Sequence, residues 1–179
     1  MFTLKAIESR KRIAIAWVFM GLCIAFAGIG AFTSQGIAQS DSPFKMRGII
    51  DDFTPDLDGN GRYQVSGEWT LELLGNSGRG NFSFGVNMVR AENPNTSAHT
   101  HYVVLKDATV TEIAGGFRLS GPAVLTGNNG NLAGFSGSTV NVDITGGNTI
   151  TYTNIALTFE GGAVGHFGAL PLHGVVSPR

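Results

Sequence analysis

Apolar and polar residues alternate along most of the chain beyond its first forty positions. Between residues 63 and 73 the large apolar side chains occupy odd-numbered positions, and after a glycine-rich turn the same alternation returns from Phe82 to Met88. Because successive side chains of a strand point to opposite faces, a period of two predicts strands with one buried and one solvated face. The two segments are typical of a β-hairpin whose apolar faces share one core.

Further segments of the same kind continue to the end of the chain. Strands are predicted at residues 99–106, 108–113, 117–126, 140–144 and 149–159, with one more short strand in the tail, residues 161–179. A change of apolar parity within the strand at 149–159 predicts a bulge near Thr153 and Asn154. About eight antiparallel strands at this spacing are typical of an all-β sandwich or of a closed β-barrel. We expect the antiparallel β-sandwich, with the closed antiparallel barrel as the alternative.

The first 38 residues have a different pattern. Four basic residues precede an uncharged apolar run at residues 13–32, and small residues then lead to Ala38. A basic start, an apolar run and a small-residue exit form the signature of a secretory signal peptide. The run also reaches the roughly 20 residues that span a bilayer as a helix, so residues 1–38 are expected to be a cleaved signal peptide or a signal anchor. This N-terminal hydrophobic helix is followed by a predicted linker at residues 39–44 and a glycine-rich β domain at residues 45–179.

The leader predicts an exported protein, extracellular or periplasmic, that is either secreted or tethered by its N-terminal segment. The single cysteine, Cys23, lies within the leader, so the β domain is expected to fold without a disulfide. Beyond Ala38 the chain carries eight basic and twelve acidic residues. An acidic domain has no electrostatic attraction to nucleic acid, so we expect no nucleic-acid partner, and membrane contact only through the N-terminal segment.

All four histidines lie in the β domain: His99, His101, His166 and His173. His99 and His101 are one residue apart on a predicted strand, so both rings project to one face, which continues into apolar residues and therefore points inward. That spacing allows two imidazoles to reach one ion at about 2.0 to 2.1 Å. His166 and His173 lie in glycine-flanked tail segments that can bend toward the pair. The four histidines are the predicted ligands of a Zn²⁺ or Cu²⁺ ion, with a three-nitrogen site if one tail histidine joins the pair.

A second set of ion ligands is suggested by Asp56, Asp58 and Asn60. They have the spacing of the first three oxygen ligands of a calcium loop, and Gly61 occupies the position of its turn glycine. The match ends there, because Gly67 stands where the loop needs a bidentate acid. A glycine- and asparagine-rich hairpin turn without an ion explains the segment as well, and we favour it over a Ca²⁺ site.

The sequence lacks the short motifs of common hydrolases and of phosphate-binding loops. The leading prediction is therefore an exported β domain that binds a transition-metal ion through a histidine cluster without catalysing a reaction. One alternative is a structural or adhesive surface protein that associates with itself, forms filaments or binds a cell-surface partner through exposed strands. A second alternative is a small secreted metalloenzyme, and for this the sequence offers no identifiable general base.

Overall fold

The computed structural model describes residues 42–55, 61–95, 97–128, 130–131, 135–147 and 152–178. The predicted leader and the calcium-loop residues Asp56, Asp58 and Asn60 lie outside these residues. The described part is all-β apart from short helical turns, and its strands are antiparallel. The strands are β1 (Phe44–Pro55), β2 (Arg62–Leu73), β3 (Arg79–Arg90), β4 (His99–Ile113), β5 (Gly116–Gly127), β6 (Gly130–Asn131), β7 (Thr139–Thr145), β8 (Asn154–Glu160) and β9 (Leu172–Val176). One short helix, α1 (Val164–Phe167), lies in the connection from β8 to β9.

The strands form a closed barrel of eight, to which the two-residue β6 adds at the end of β5. From β1 to β4 each strand pairs with the next one along the chain, and β4 pairs in turn with β5. Strand β5 then pairs with β7, β7 with β8, and β8 with β9. Three residue pairs between β1 and β9, from Gly48↔Val176 to Ile50↔Gly174, close the circle. Every barrel strand is therefore paired on both sides.

The barrel interior is packed with apolar side chains, as is usual for eight strands. Its largest fully buried residues include Trp69, Phe82, Phe84, Phe117 and Phe159. Gly48 lies opposite Trp69 in the β1–β2 pair, and a Cβ atom there would come within 2.8 Å of the indole ring. The glycine thus makes room for the largest side chain of the core. The centre of the barrel is a packed core, and sites for other molecules lie at its ends or on its outer face.

Most of the strands predicted from the sequence are present in the structure. The hairpin of β2 and β3 is confirmed with the expected buried faces, and so are β5, β7 and a short tail strand, β9. The two segments predicted at 99–106 and 108–113 form one strand, β4, whose register shifts between Leu105 and Thr109. The strand predicted to reach Phe159 begins only at Asn154, since Tyr152 and Thr153 are not in a strand, so no bulge is needed within it.

The architecture corrects the expected sandwich in favour of the barrel alternative. Alternation along a strand reports which of its faces is buried and is the same in both folds. The barrel closes through strand β1, which pairs with both β2 and β9. This strand was not among those predicted from the sequence. Its buried positions include Gly48 and Thr54, so the apolar alternation that marks the other strands is weak there. In the described part of the chain, no helix is long and apolar enough to cross a membrane.

Candidate metal centre

Three of the four histidines meet at one end of the barrel. His99 and His101 lie at the start of β4, and His166 lies in α1, within the connection from β8 to β9. Along β4 the side chains alternate, and His101 belongs to the inward set that continues with Val103 and Leu105, all buried. The predicted inward orientation of the pair is confirmed, because His101 is 4 % exposed and His99 is half-buried nearer the barrel mouth.

The imidazole nitrogens converge closely. The Nε2 atom of His166 lies 2.8 Å from Nε2 of His101 and 3.1 Å from Nε2 of His99. One ligand nitrogen from each of the three residues lies within 4.8 Å of the others. A tetrahedral Zn²⁺ ion holds its nitrogen ligands at about 2.0 to 2.1 Å, which separates them from each other by about 3.3 Å. Shifts of a few tenths of an ångström at the two short separations would match the spacing around such an ion.

His99 is oriented by the backbone. Its Nδ1 atom lies 2.6 Å from the carbonyl oxygen of Ser97. A carbonyl only accepts, so Nδ1 carries the proton and donates, and Nε2 of the neutral ring keeps its lone pair. This contact is the usual support of a metal-bound histidine, because it fixes both the tautomer and the direction of the ring. Ser97 adopts a φ of 60°, a left-handed conformation that few residues other than glycine favour.

Hydrogen bonds alone leave the three Nε2 atoms incompletely satisfied. Since Nε2 of His99 is an acceptor, Nε2 of His166 has to carry a proton to bond with it, and that one proton is then shared with Nε2 of His101. His99 and His101 would then both accept from the single N–H of His166. A cation placed between the three nitrogens would instead engage one lone pair from each. The donor set therefore suits a metal ion better than it suits a hydrogen-bonded network.

The surroundings keep two of the rings in the neutral form that binds metals. Burial, followed by the like charges of the neighbouring His166 and His99, lowers the pKa of His101 to about 4. The pKa of His166 is also lowered, first by burial and then by His99. The backbone of Thr126 acts on His101 in the opposite direction, but its contact falls outside hydrogen-bond geometry, and the buried Nδ1 atom has no partner among the described residues. Neutral His101 and His166 can each offer a lone pair at pH 7.

The segment that carries His166 is anchored on both sides. Ala163 and Phe167, which flank the histidine, are both fully buried. The backbone N–H of Ala163 donates to the Ser138 hydroxyl at 3.0 Å, and the Thr54 hydroxyl donates to the carbonyl of Phe167 at 2.6 Å. Gly168 follows the helix with a φ of 83°, which lets the chain reverse toward β9. His166 is thereby held over the mouth of the barrel.

Aromatic rings surround the cluster. The Phe135 and Phe167 rings contact both His101 and His166, with centroids 5.0 to 5.9 Å apart. On the other side, the Tyr63 ring meets His99 edge-on at 5.5 Å. Such a shell restricts the access of water and lowers the local dielectric constant, which strengthens electrostatic interactions at the site.

The fourth histidine is not part of this cluster. His173 lies on β9 and faces the outside of the barrel, where Asp52 of β1 accepts hydrogen bonds from its backbone N–H at 2.8 Å and from its Nδ1 atom at 3.1 Å. Burial raises the pKa of Asp52, but the bonds from His173 and from the Phe53 N–H outweigh it, so the pKa is lowered. Three of the four predicted metal ligands therefore form one group, and the fourth is hydrogen-bonded to Asp52 on the outer face. The predicted calcium ligands remain untested, because they lie outside the described residues.

The Ser97 carbonyl and the aromatic shell were missed by the sequence analysis. The local sequence does not single out the Ser97 carbonyl, because every residue has a carbonyl oxygen. Phe167, directly after His166, was the one neighbour that the sequence could have indicated. Its ring stacks on Phe159 at a centroid distance of 4.2 Å, and this contact depends on the path of the connection between β8 and β9.

A groove lies at the other end of the barrel, away from the histidines. It has a volume of about 1100 Å³ and a mostly apolar lining that includes Phe44, Met46, Leu71 and Tyr152. Its lining contains no histidine, and its charged groups include the paired Lys45 and Glu72. The groove offers space without a convergent set of donors, so the histidine cluster is the better candidate for chemistry.

Comparison of the chain with protein-family models, with curated proteins and with solved structures finds no match. The chemistry of the site is therefore inferred from its geometry.

Proposed function

We propose that this chain is an exported β-barrel that binds one transition-metal ion, Zn²⁺ or Cu²⁺, through His99, His101 and His166, in a binding role without catalysis. The observation that carries the proposal is the convergence of three imidazole nitrogens, two of whose separations are 2.8 and 3.1 Å. Neutral imidazole is a preferred ligand of both ions, and three such ligands leave one coordination position for another donor. Export is supported by the leader sequence alone.

A binding role is favoured over catalysis by what accompanies the ligands. Among the described residues, the group that could hold the ion consists of histidines only. Proton transfer at a hydrolytic metal site is typically assisted by a further positioned side chain beside the open position, most often a histidine or a carboxylate. Phe135 and Phe167 line the cluster instead. The metalloenzyme alternative therefore lacks its second component in the described part of the chain.

The closed barrel also weighs against assembly through strand edges. Pairing between the edges of two sheets requires a strand with free backbone N–H and C=O groups. All eight barrel strands are paired on both sides, and β6 is only two residues long. A structural or adhesive role would need to use the outer face or the loops.

The proposal is tested by metal analysis of the full chain, purified without a histidine tag. After loading with Zn²⁺ or Cu²⁺ and removal of excess metal, we expect one ion per chain by inductively coupled plasma mass spectrometry. The variant His101→Phe keeps an aromatic ring of similar size and removes the nitrogen. It should bind at least about a hundredfold more weakly, because loss of a mere hydrogen-bond partner of a metal ligand already costs about 10- to 100-fold.

His173→Ala is the matched control. It also removes one imidazole, but from the outer face, where the ring pairs with Asp52. The control should retain one ion per chain, and circular dichroism should show both variants folded. Equal metal contents in the native chain, His101→Phe and His173→Ala would contradict the proposal.

A further inference from the structure

We propose that the metal-loaded site binds a small anion from solution, held directly on the metal at its fourth position. This inference rests on the proposed function and goes beyond it, because it concerns the ligand that the loaded site would capture. Three neutral imidazoles contribute no charge, so a divalent ion bound to His99, His101 and His166 keeps its full double positive charge. Among the described residues, no carboxylate joins the three nitrogens.

The surroundings make that charge costly to leave uncompensated. His101 is 4 % exposed, and the rings of Phe135 and Phe167 contact both it and His166. In such surroundings the effective dielectric constant is well below that of water, and a net positive charge attracts an anion more strongly than at an open surface. The group consists of three histidines, so the balancing charge has to come from outside it.

The position is accessible to a small ligand. The three nitrogens converge at the barrel mouth, and His99 and His166 are half-buried, so solvent reaches the cluster from that side. Water would occupy the fourth position when no anion is bound there. A Zn²⁺ ion lowers the pKa of its bound water to about 7. Hydroxide is therefore one member of the class of ligands, and carboxylates or small inorganic anions of similar size would compete with it. The packed interior of the barrel excludes ligands that need a deep cavity.

The test uses the Cu²⁺-loaded full chain and sodium azide, a small anion that gives a charge-transfer absorption band only when it binds copper directly. We expect a saturable band with one azide per copper in the native chain and in the control His173→Ala. Added acetate should compete with azide and reduce the band. Phe135→Ser removes part of the apolar wall without removing a ligand, so azide affinity should fall severalfold while the copper content stays at one per chain.

The outcomes separate the two proposals. A chain that retains one copper but shows no azide band would overturn the anion site, because the fourth position would then be filled by a donor of the protein itself. The proposed metal site would not be affected by this result. A chain that retains no copper would contradict the proposed function and the anion site with it. A band of equal strength in His101→Phe would show that the azide-binding copper lies elsewhere, which also overturns the inference.

Discussion

Histidines occupy two contrasting regions of this barrel. At the mouth, His101 is 4 % exposed, lies within 2.8 Å of another imidazole nitrogen and has its pKa lowered to about 4 by burial. On the outer face, the side chain of His173 is 67 % exposed and donates to the carboxylate of Asp52 at 3.1 Å. The same residue type is thus neutral and able to bind a metal in one place, and hydrogen-bonded to a carboxylate in contact with solvent in the other. The surroundings of a histidine, more than its presence in the sequence, determine what it can do.

The largest difference between the regions is expected in the response to metal. At a Zn²⁺ concentration about a thousand times the dissociation constant, binding to the native state alone should stabilise the chain by about 4 kcal/mol, a rise in melting temperature on the order of 10 °C. Differential scanning calorimetry should show this rise in the native chain and in His173→Ala. In His101→Phe the rise should disappear, and a full rise there would place the ion outside the cluster.

Removal of the aromatic anchor beside His166 should have the next largest effect. Phe167 is fully buried and stacked on Phe159 at 4.2 Å, so Phe167→Ala should reduce the free energy of unfolding by about 3 to 5 kcal/mol, measured with urea. Metal affinity should fall as well, because His166 loses its support. The control Phe53→Ala removes a phenylalanine from the outer face, where it is 47 % exposed, and should cost less than about 1 kcal/mol. Similar losses in both variants would contradict the anchoring role.

The two regions should also lose stability in different pH ranges. His101 has a pKa near 6.5 when unfolded and about 4 in the folded, metal-free chain. Between these values the unfolded chain binds more protons, so stability should decline as the pH falls from about 6.5 to 4, by roughly 2 to 3 kcal/mol. Asp52 has a lowered pKa, so its contribution is present above its ordinary pKa of 3.8 and is lost only below it.

Urea unfolding at a series of pH values, with a chelator present, measures both contributions. The decline between pH 6.5 and 4 should be smaller in His101→Phe, which loses the His101 contribution and keeps that of His166, whose pKa is also lowered. A decline of equal size in the native chain and in this variant would assign the effect to other groups.

The smallest effect is expected for the outer hydrogen-bonded pair of Asp52 and His173. Asp52→Asn keeps an oxygen that accepts from the His173 backbone and loses the charge, so it should change the free energy of unfolding by about 0.5 kcal/mol at neutral pH, because solvent screens the pair. Metal stoichiometry should remain one per chain. A loss of metal in Asp52→Asn would join the outer pair to the site and abolish the contrast between the two regions.

Some of these features follow from local sequence alone. The His-x-His spacing places two rings on one face because strand geometry is local, and the apolar residues that follow on that face show that it points inward. The buried faces of β2, β3, β5 and β7 follow in the same way. The leader predicts export, and this prediction concerns residues outside the described part of the chain.

Other features depend on residues far apart in the sequence, and only the tertiary structure decided them. Closure into a barrel required β1 to pair with β9, a contact between the two ends of the domain that alternation does not encode. The same closure places the connection between β8 and β9 over the start of β4, and so it brought His166 to the pair and left His173 on the outer face. The sequence determined which residues could bind a metal, and the folded chain selected three of them, because ligation requires convergence in space.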